Sequence, residues 1–314
     1  MISSLSCKVD ILLSTFNGEK YLEQQFDSII AQEFADWHLL IRDDGSSDET
    51  INIINQYVSH YPLKITFSRD AFDNLGPAGS FSTLLEKSTA PYISFCDQDD
   101  VWLPDKLQKQ MQFMLDTEKK YSTELPLLVH SNLKVVDERL SLISNSFWDY
   151  QNINPDNMNR LEKLLVQNYV TGCTVLINRK LLDASTPIPK GVIMHDWWIA
   201  LITVSNGHII NINEPTILYR QHDNNDTGAK NWGFGHVINM IIKGPKNMRK
   251  SLFKTRDQAV ALLGSGVLDE NQKVIVENYI NMFELNWFLR RWYMLRHGFT
   301  KHGVFRNIGL FLVL

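Results

Sequence analysis

Three carboxylates fall within four positions at Asp97-Gln98-Asp99-Asp100, directly after the largely apolar run Tyr92 to Cys96. Such a run reads as a buried strand. Pro104 stands where a helix can begin, and Asp105 adds negative charge to its first turn. Ligands of open α/β sheets bind beyond the carboxyl ends of the strands, so charge is concentrated here where a ligand is expected. Carboxylates this close repel, and each makes its neighbours hold protons more tightly. A hard divalent cation, Mg2+ or Mn2+, removes that conflict, because oxygen ligands suit it. A cation held by only one or two carboxylates keeps open positions, which phosphate oxygens commonly fill. The cluster does not read as an EF-hand. Counting from Asp97, the sixth position needs Gly and holds Trp102, and the twelfth is Gln108 rather than a bidentate Glu.

The elements needed to position this cluster are visible around it. Val9 to Ser14 reads as a first strand, broken by Thr15-Phe-Asn-Gly18, and Tyr21 to Ala31 as a helix. Trp37 to Ile41 reads as a second strand, ending in Arg42-Asp-Asp-Gly-Ser-Ser-Asp48. Thr50 to Tyr57 is a second helix, Leu63 to Ser68 a third strand, Asp73 to Gly79 a loop and Ser80 to Lys87 a helix. Strand and helix alternate, which predicts a doubly wound, mostly parallel, Rossmann-like sheet. Two acidic clusters, Asp43/Asp44 and Asp97/Asp99, then end two strands of one sheet and point into one crevice. Each also has a plainer reading. Asp-Asp-Gly-Ser suits a turn and helix cap, and Asp97 to Asp100 suits a solvated loop.

A second chemical stretch is Met194-His-Asp-Trp-Trp-Ile-Ala200. Group transfer to a hydroxyl needs a base for the acceptor proton. A carboxylate walled by indole rings has its pKa raised toward useful values. Trp faces also cover the apolar side of a sugar ring, which makes Trp102, Trp197 and Trp198 candidate acceptor-side residues. The plainer reading is a helix capped by Asp196, with core tryptophans. Leu125 to Asn132 and Val170 to Ile177 read as strands, and Gly172 admits close approach to the backbone. Between them, Ser146 to Asn159 reads as a loop and Leu161 to Asn168 as a short helix. Leu218 to Gly228 is a polar loop whose Arg220 and His222 could close over a diphosphate or give a metal a nitrogen ligand.

Composition changes near residue 230. Val237 to Ile242, Lys246 to Leu263 and Asn271 to Arg296 read as helices, giving a catalytic unit over 1–228 and a helical region over 229–314. The last helix mixes Trp287, Phe288, Trp292 and Tyr293 with Arg290, Arg291 and Arg296, a mixture that fits either membrane-interface contact or packing on the catalytic unit. The 314 residues are 44% hydrophobic and carry a net charge of -4, a globular composition and not that of a nucleic-acid binder. Cys7, Cys96 and Cys173 form no CxxC pair, which suggests a reducing compartment. No signal peptide is expected at Met1 to Asp10, and no window offers the roughly 18 apolar residues of a membrane span.

Three motifs taken in order, Asp10-Ile-Leu-Leu-Ser-Thr-Phe-Asn-Gly-Glu-Lys-Tyr-Leu22, Asp43-Asp-Gly-Ser-Ser-Asp48 and Cys96-Asp-Gln-Asp-Asp-Val-Trp102, together resemble glycosyltransferase family 2 over about residues 8–225. The resemblance implies the GT-A fold, here with a C-terminal helical extension. It implies that Ser14 and Thr15 lie beside the nucleotide, that one of Asp43 and Asp44 bonds the pyrimidine, and that Asn74 and Gly76 form a nucleotide-side loop. Asp97 and Asp99 match the DxD motif, with Asp99 the expected direct metal ligand, and Asp196 matches the catalytic base. The His-Asp-Trp-Trp and Tyr-Arg-Gln-His segments are similar to those of bacterial rhamnosyltransferases that build O-antigen or capsule. The implied reaction is inverting transfer from dTDP-L-rhamnose, or secondly a UDP-sugar, to a glycan or lipid-linked glycan. The cysteine pattern and the absence of an expected signal peptide point to the cytoplasm, and a lipid-linked acceptor would bring peripheral contact at the inner face of the plasma membrane through the last helix. Two alternatives stand beside it. Asp97-x-Asp99-x-Val101 after a strand also suits a haloacid-dehalogenase-type phosphatase, and a cleft of this kind could belong to a catalytically silent nucleotide-sugar scaffold.

Overall fold

The computed structural model describes residues 8–70, 74–223 and 245–314. Its centre is β1 (Val9–Thr15), a run buried along nearly its whole length. An apolar run without polar alternation suits a strand covered on both faces. From β1 the chain winds through α1 (Leu22–Ile30), β2 (Trp37–Asp43), α2 (Thr50–His60), β3 (Ile65–Phe67), α3 (Gly76–Lys87) and β4 (Tyr92–Cys96). These four strands are parallel, in the order β3-β2-β1-β4. The alternation read from the sequence is therefore present.

The second half departs from the parallel expectation. It contains β5 (Val101–Trp102), α4 (Lys106–Lys120), β6 (Leu127–Val136), β7 (Leu142–Ser144), α5 (Phe147–Tyr150), α6 (Leu161–Leu164), β8 (Val175–Asn178), α7 (Arg179–Ser185), α8 (His195–Asn206) and β9 (His208–Arg220). Strand β8 pairs antiparallel with both β4 and β6, and β5 pairs antiparallel with β9, while β6 and β9 are parallel. The sheet of nine strands is thus parallel on one side and mixed on the other.

Alternate residues of the central strands feed two cores. Leu12, Leu40, Ile93 and Phe95 point to one face, with α3, α7 and α8. Ile11, Leu39, Ile41 and Cys96 point to the other, with α1, α2 and α4. On the first face lie α9 (Pro245–Leu263), α10 (Glu270–Met282), α11 (Trp287–Arg296) and α12 (Val304–Val313). Their Ala259, Leu262, Val276, Tyr279 and Met294 join the same core as Trp198 and Ile199 of α8. The C-terminal helices therefore have no separate core.

Several local readings change. Helix α3 starts at Gly76, four positions before the expected Ser80. The expected strand Val170 to Ile177 is a 3-10 turn at Gly172–Thr174 followed by β8. The expected loop 146–159 contains α5 and a 3-10 turn at Pro155–Asn157. The expected helix Asn271 to Arg296 breaks between α10 and α11, where the Asn286 side chain accepts a hydrogen bond from Leu289 N at 3.0 Å. The helix expected at Val237 to Ile242 lies outside the described residues.

Candidate active site

Strand register decides which residues meet. Thr15 lies opposite Asp43, and Leu13 opposite Cys96, so the ends of β2 and β4 flank the end of β1. Gln98 clips the β1 exit across this gap. Its Oε1 accepts from Phe16 N at 2.9 Å and its Nε2 donates to Phe16 O at 3.0 Å. The clip requires glycine at position 18, where a Cβ would sit 2.4 Å from Gln98 Oε1.

On the nucleotide side the two acids differ. The Asp43 carboxylate accepts from Thr15 Oγ1 at 2.8 Å and Ser46 Oγ at 2.5 Å, and from the amides of Gly45 and Ser46 at 3.1 and 2.8 Å. It therefore shapes the turn, and the residue stays partly exposed at the end of β2. Asp44 is buried and paired with the Arg42 guanidinium, and it accepts from the Leu75 and Gly76 amides, both at 2.8 Å. Arg42 also donates from Nε to Asp70 Oδ2 at 2.9 Å and from Nη1 to Ser80 Oγ at 2.7 Å. Burial works against the Arg42 charge, but Asp70 and Asp44 outweigh it and raise its pKa. Asp44 thus holds the start of α3 in place. Gly76 takes a φ of 70°, a left-handed conformation that glycine adopts without strain, and its amide also reaches Asn74 Oδ1 at 3.2 Å. Ser14, half-buried, lies opposite Arg42 in the sheet.

Below the crevice, Asp97 and Asp99 are partly exposed and Asp100 is sealed. Asp99 Oδ2 lies 2.8 Å from His222 Nε2, so the loop after β9 does reach the acidic turn. Asp100 Oδ1 accepts from Arg220 N at 3.1 Å, but Oδ2 makes no hydrogen bond of normal geometry. Burial first, then the charges of Asp99 and Asp97, push the Asp100 carboxyl well above its usual range. Asp97, Asp100 and the Cys173 thiol lie with ligand atoms within 4.8 Å of one another. The thiol is itself held protonated by burial, then by the charges of Asp100 and Asp97. Crowded oxygen donors with an unsatisfied buried carboxylate oxygen fit a hard divalent cation; of the expected set, Asp97 belongs to this group, and Asp99, adjacent in sequence to Asp100, pairs with His222.

The acceptor side joins this cluster through two adjacent residues. Cys173 touches the acidic group, and a Cβ on Gly172 would lie 3.5 Å from Asp196 Oδ2. Asp196 opens the first turn of α8. Its Oδ1 accepts from Trp197 N at 2.6 Å. Although part of its surface is accessible, surrounding protein atoms desolvate it and push its pKa up to about 6, against the stabilising Trp197 and Gly172 amides and the Asn168 side chain. The segment before it is fixed by α9, where Gln258 Oε1 accepts from Ile193 N at 3.0 Å. His195 is not a second base. It is buried between Phe81 and Phe95, with ring centroids 4.1 and 5.0 Å away, and burial holds its pKa down to about 3.

These features coincide with a match along the sequence. Residues 10–185, more than half of the chain, match glycosyl transferase family 2. The chain belongs to that family. It is 28% identical over 230 residues to the dTDP-rhamnosyl transferase RfbG of Shigella flexneri, covering 69% of this chain and 74% of that one. It is also 28% identical over 207 residues to the UDP-Glc:alpha-D-GlcNAc-diphosphoundecaprenol beta-1,3-glucosyltransferase WfgD of Escherichia coli, covering 65% and 73%. Among solved structures, S. aureus TarS 1-349 in complex with UDP-GlcNAc superposes with a TM-score of 0.59 at 15% identity, covering 92% of this chain and 79% of that one. The mannosyltransferase PcManGT from Pyrobaculum calidifontis, in complex with GDP-Man and Mn2+, gives 0.51 at 14%, covering 93% and 86%. The protein is therefore a glycosyltransferase with the GT-A fold, and the phosphatase reading of Asp97 and Asp99 falls away.

In this family 2 transferase three expected site residues sit elsewhere. Trp102 is in the core, with Lys106 Nζ 3.9 Å from its ring centroid. Trp198 is also buried, and its Nε1 donates to Ser185 O at 2.8 Å. Their large apolar area makes burial more favourable than a place on the acceptor wall. Trp197 stays partly exposed and donates to Leu164 O at 2.6 Å. Arg220, expected at a diphosphate, is buried behind the acidic turn and donates to Asp99 O at 2.8 Å, Glu138 O at 2.6 Å and Gln24 Oε1 at 2.6 Å. A buried guanidinium needs acceptors around it, and backbone carbonyls supply them. Sequence reasoning missed Asp70, Gln98 and Cys173. Gln98 even lies inside the Asp97 to Asp100 motif, but each of the three acquires its role from a residue at least 28 positions away.

Proposed function

We propose that this chain is an inverting hexosyltransferase that moves a sugar, L-rhamnose from dTDP-L-rhamnose in the first instance, to a hydroxyl of a cell-surface polysaccharide or lipid-linked oligosaccharide. The observation that carries this reading is the Gly172-Cys173 junction. It sets a desolvated carboxylate beside an acidic cluster able to hold a donor diphosphate through a cation. The similarity to RfbG supports the choice of sugar.

Asp196 takes the proton of the acceptor hydroxyl. The freed oxygen forms a bond to the anomeric carbon from the face opposite the leaving group, and the bond to the nucleoside diphosphate breaks with its electron pair. A pKa near 6 leaves Asp196 ionised at neutral pH and basic enough to share the proton in the transition state. Asp99, Asp97 and His222 would hold Mg2+ or Mn2+, which supplies positive charge against the departing diphosphate. Asp43 and Thr15 border the place for the base and sugar of the nucleotide. Trp197, half-buried next to Asp196, offers an indole edge to the acceptor. Arg220 acts from behind, fixing the Asp99-Asp100 turn.

The test has two arms. Calorimetry of dTDP, UDP and GDP with Mn2+ and with chelator should show metal-dependent binding of dTDP most strongly. Transfer from dTDP-L-rhamnose to a lipid-linked glycan should then exceed transfer from UDP-glucose. Binding without any turnover would favour the silent scaffold.

A further inference from the structure

The two last helices are built inside out. In α11 and α12, Arg291 and Arg306 are 4% and 5% exposed, while Trp287, Phe288 and Val304 are 65%, 71% and 72% exposed. Phe288, Trp292 and Leu295 follow helical spacing along one side of α11, and Val304, Ile308 and Leu312 do so along α12. Nine of the twenty large hydrophobic residues exposed among the described residues belong to these two ten-residue helices. Scattered exposed apolar residues need no explanation, but such a concentration marks a contact surface.

The buried arginines donate to backbone carbonyls. Arg291 Nη1 donates to Trp287 O at 2.7 Å, and its guanidinium lies 3.8 Å from the Trp287 ring centroid and 5.5 Å from that of Phe311. It therefore ties the two helices together. Arg306 donates to Gln151 O, to Gln151 Oε1 at 3.2 Å and to Asn152 O at 3.2 Å, which anchors α12 on the catalytic unit. The pair is a fixed platform, and its apolar side is turned outward.

We infer that this platform docks on the surface of an anionic phospholipid bilayer. Charge selects the occupant. Residues 285–314 contain no Asp or Glu, and of their Lys and Arg residues Arg296 is the exposed one, Arg291 and Arg306 being turned inward. Arg249, Lys250 and Lys254 of the neighbouring α9 and Arg296 of α11 are exposed. A second copy on the same face would set these cations against themselves, whereas anionic headgroups complement them. Trp and Phe beside Arg and Lys suit the headgroup boundary. No helix among the described residues is long and apolar enough to cross a membrane, so the contact is along the surface. The inference stands on this face alone and does not depend on the donor or acceptor proposed above.

The test is co-sedimentation of the full chain with phosphatidylglycerol vesicles and with phosphatidylcholine vesicles, with tryptophan emission read alongside. The chain should sediment with phosphatidylglycerol, weakly with phosphatidylcholine, and with a blue-shifted emission. Replacing Phe288, Trp292 and Leu295 together by Ser, which leaves the Trp287 ring on Arg291, should weaken binding at least about tenfold. Reversing Lys250 and Arg296 to Glu should weaken binding about tenfold, on phosphatidylglycerol only. Unchanged thermal melting and unchanged nucleotide calorimetry in both variants separate loss of docking from loss of fold or site. Folded wild-type chain left in the supernatant with both lipids would overturn the proposal. So would a dimer in analytical ultracentrifugation that the triple variant abolishes.

Discussion

Asp196→Asn separates the base from everything else in the site. The substitution keeps the side-chain shape and the oxygen that accepts from Trp197 N, so α8 keeps its first turn. It removes the group proposed to take the acceptor proton, and general-base catalysis contributes about 100- to 10,000-fold. That range corresponds to about 3–5 kcal/mol in the barrier. Wild-type kcat/KM should fall below about pH 6 as Asp196 takes up its proton, and the residual activity of the variant should lack that break. Stability gives an independent reading. The folded-state pKa of Asp196 lies above its unfolded value of 3.8, so the native state binds the proton more tightly. Ionised Asp196 therefore destabilises the fold, by about 2 to 3 kcal/mol, and this cost grows as pH rises from about 4 through 6. Asn carries no such cost, so the variant should be more stable than wild type at pH 8 and lose that advantage toward pH 4. The assays are a pH series of transfer rates and urea unfolding at pH 4 and 8. A variant with more than about a third of wild-type transfer, or with the same break near pH 6, refutes the assignment.

Further expectations concern the rest of the site. Asp99→Asn should weaken Mn2+-dependent nucleotide binding at least about tenfold by calorimetry, while binding in chelator stays as in wild type; equal loss in both conditions would remove Asp99 from the metal. Arg42→Met should cost about 3–5 kcal/mol in urea unfolding, because it strands Asp44 and Asp70 beside one another in a buried place, and a cost below about 1 kcal/mol would show that the triad is not needed. Gly18→Ala should displace Gln98 from Phe16, losing two hydrogen bonds at about 1–2 kcal/mol, with weaker nucleotide binding. Unchanged melting and affinity in that variant would mean that the clip does not shape the site.

What the residues alone determined is local in origin. The buried runs Val9 to Thr15 and Tyr92 to Cys96, the turn residues after them and the carboxylates at Asp43 and Asp97 announce parallel strands and a charged crevice, because period and turn chemistry act over a few positions. The motif order was enough to point to the family. Tertiary structure decided what each polar group does. Asp43 and Asp44 are neighbours in sequence, yet one stays partly exposed and bonds Thr15 while the other is buried and paired with Arg42 at the start of α3. Trp197 and Trp198 are also neighbours, but helical geometry turns one to the rim and the other into the core. Arg220 reads as a phosphate ligand until the fold surrounds it with carbonyls. The mixed half of the sheet, and the platform whose arginines are inside and aromatics outside, rest on contacts between residues far apart in sequence, such as Tyr92 with Asn178 and Arg306 with Gln151. A local pattern can show that a segment is amphipathic, but only the packed fold decides which of its sides is covered.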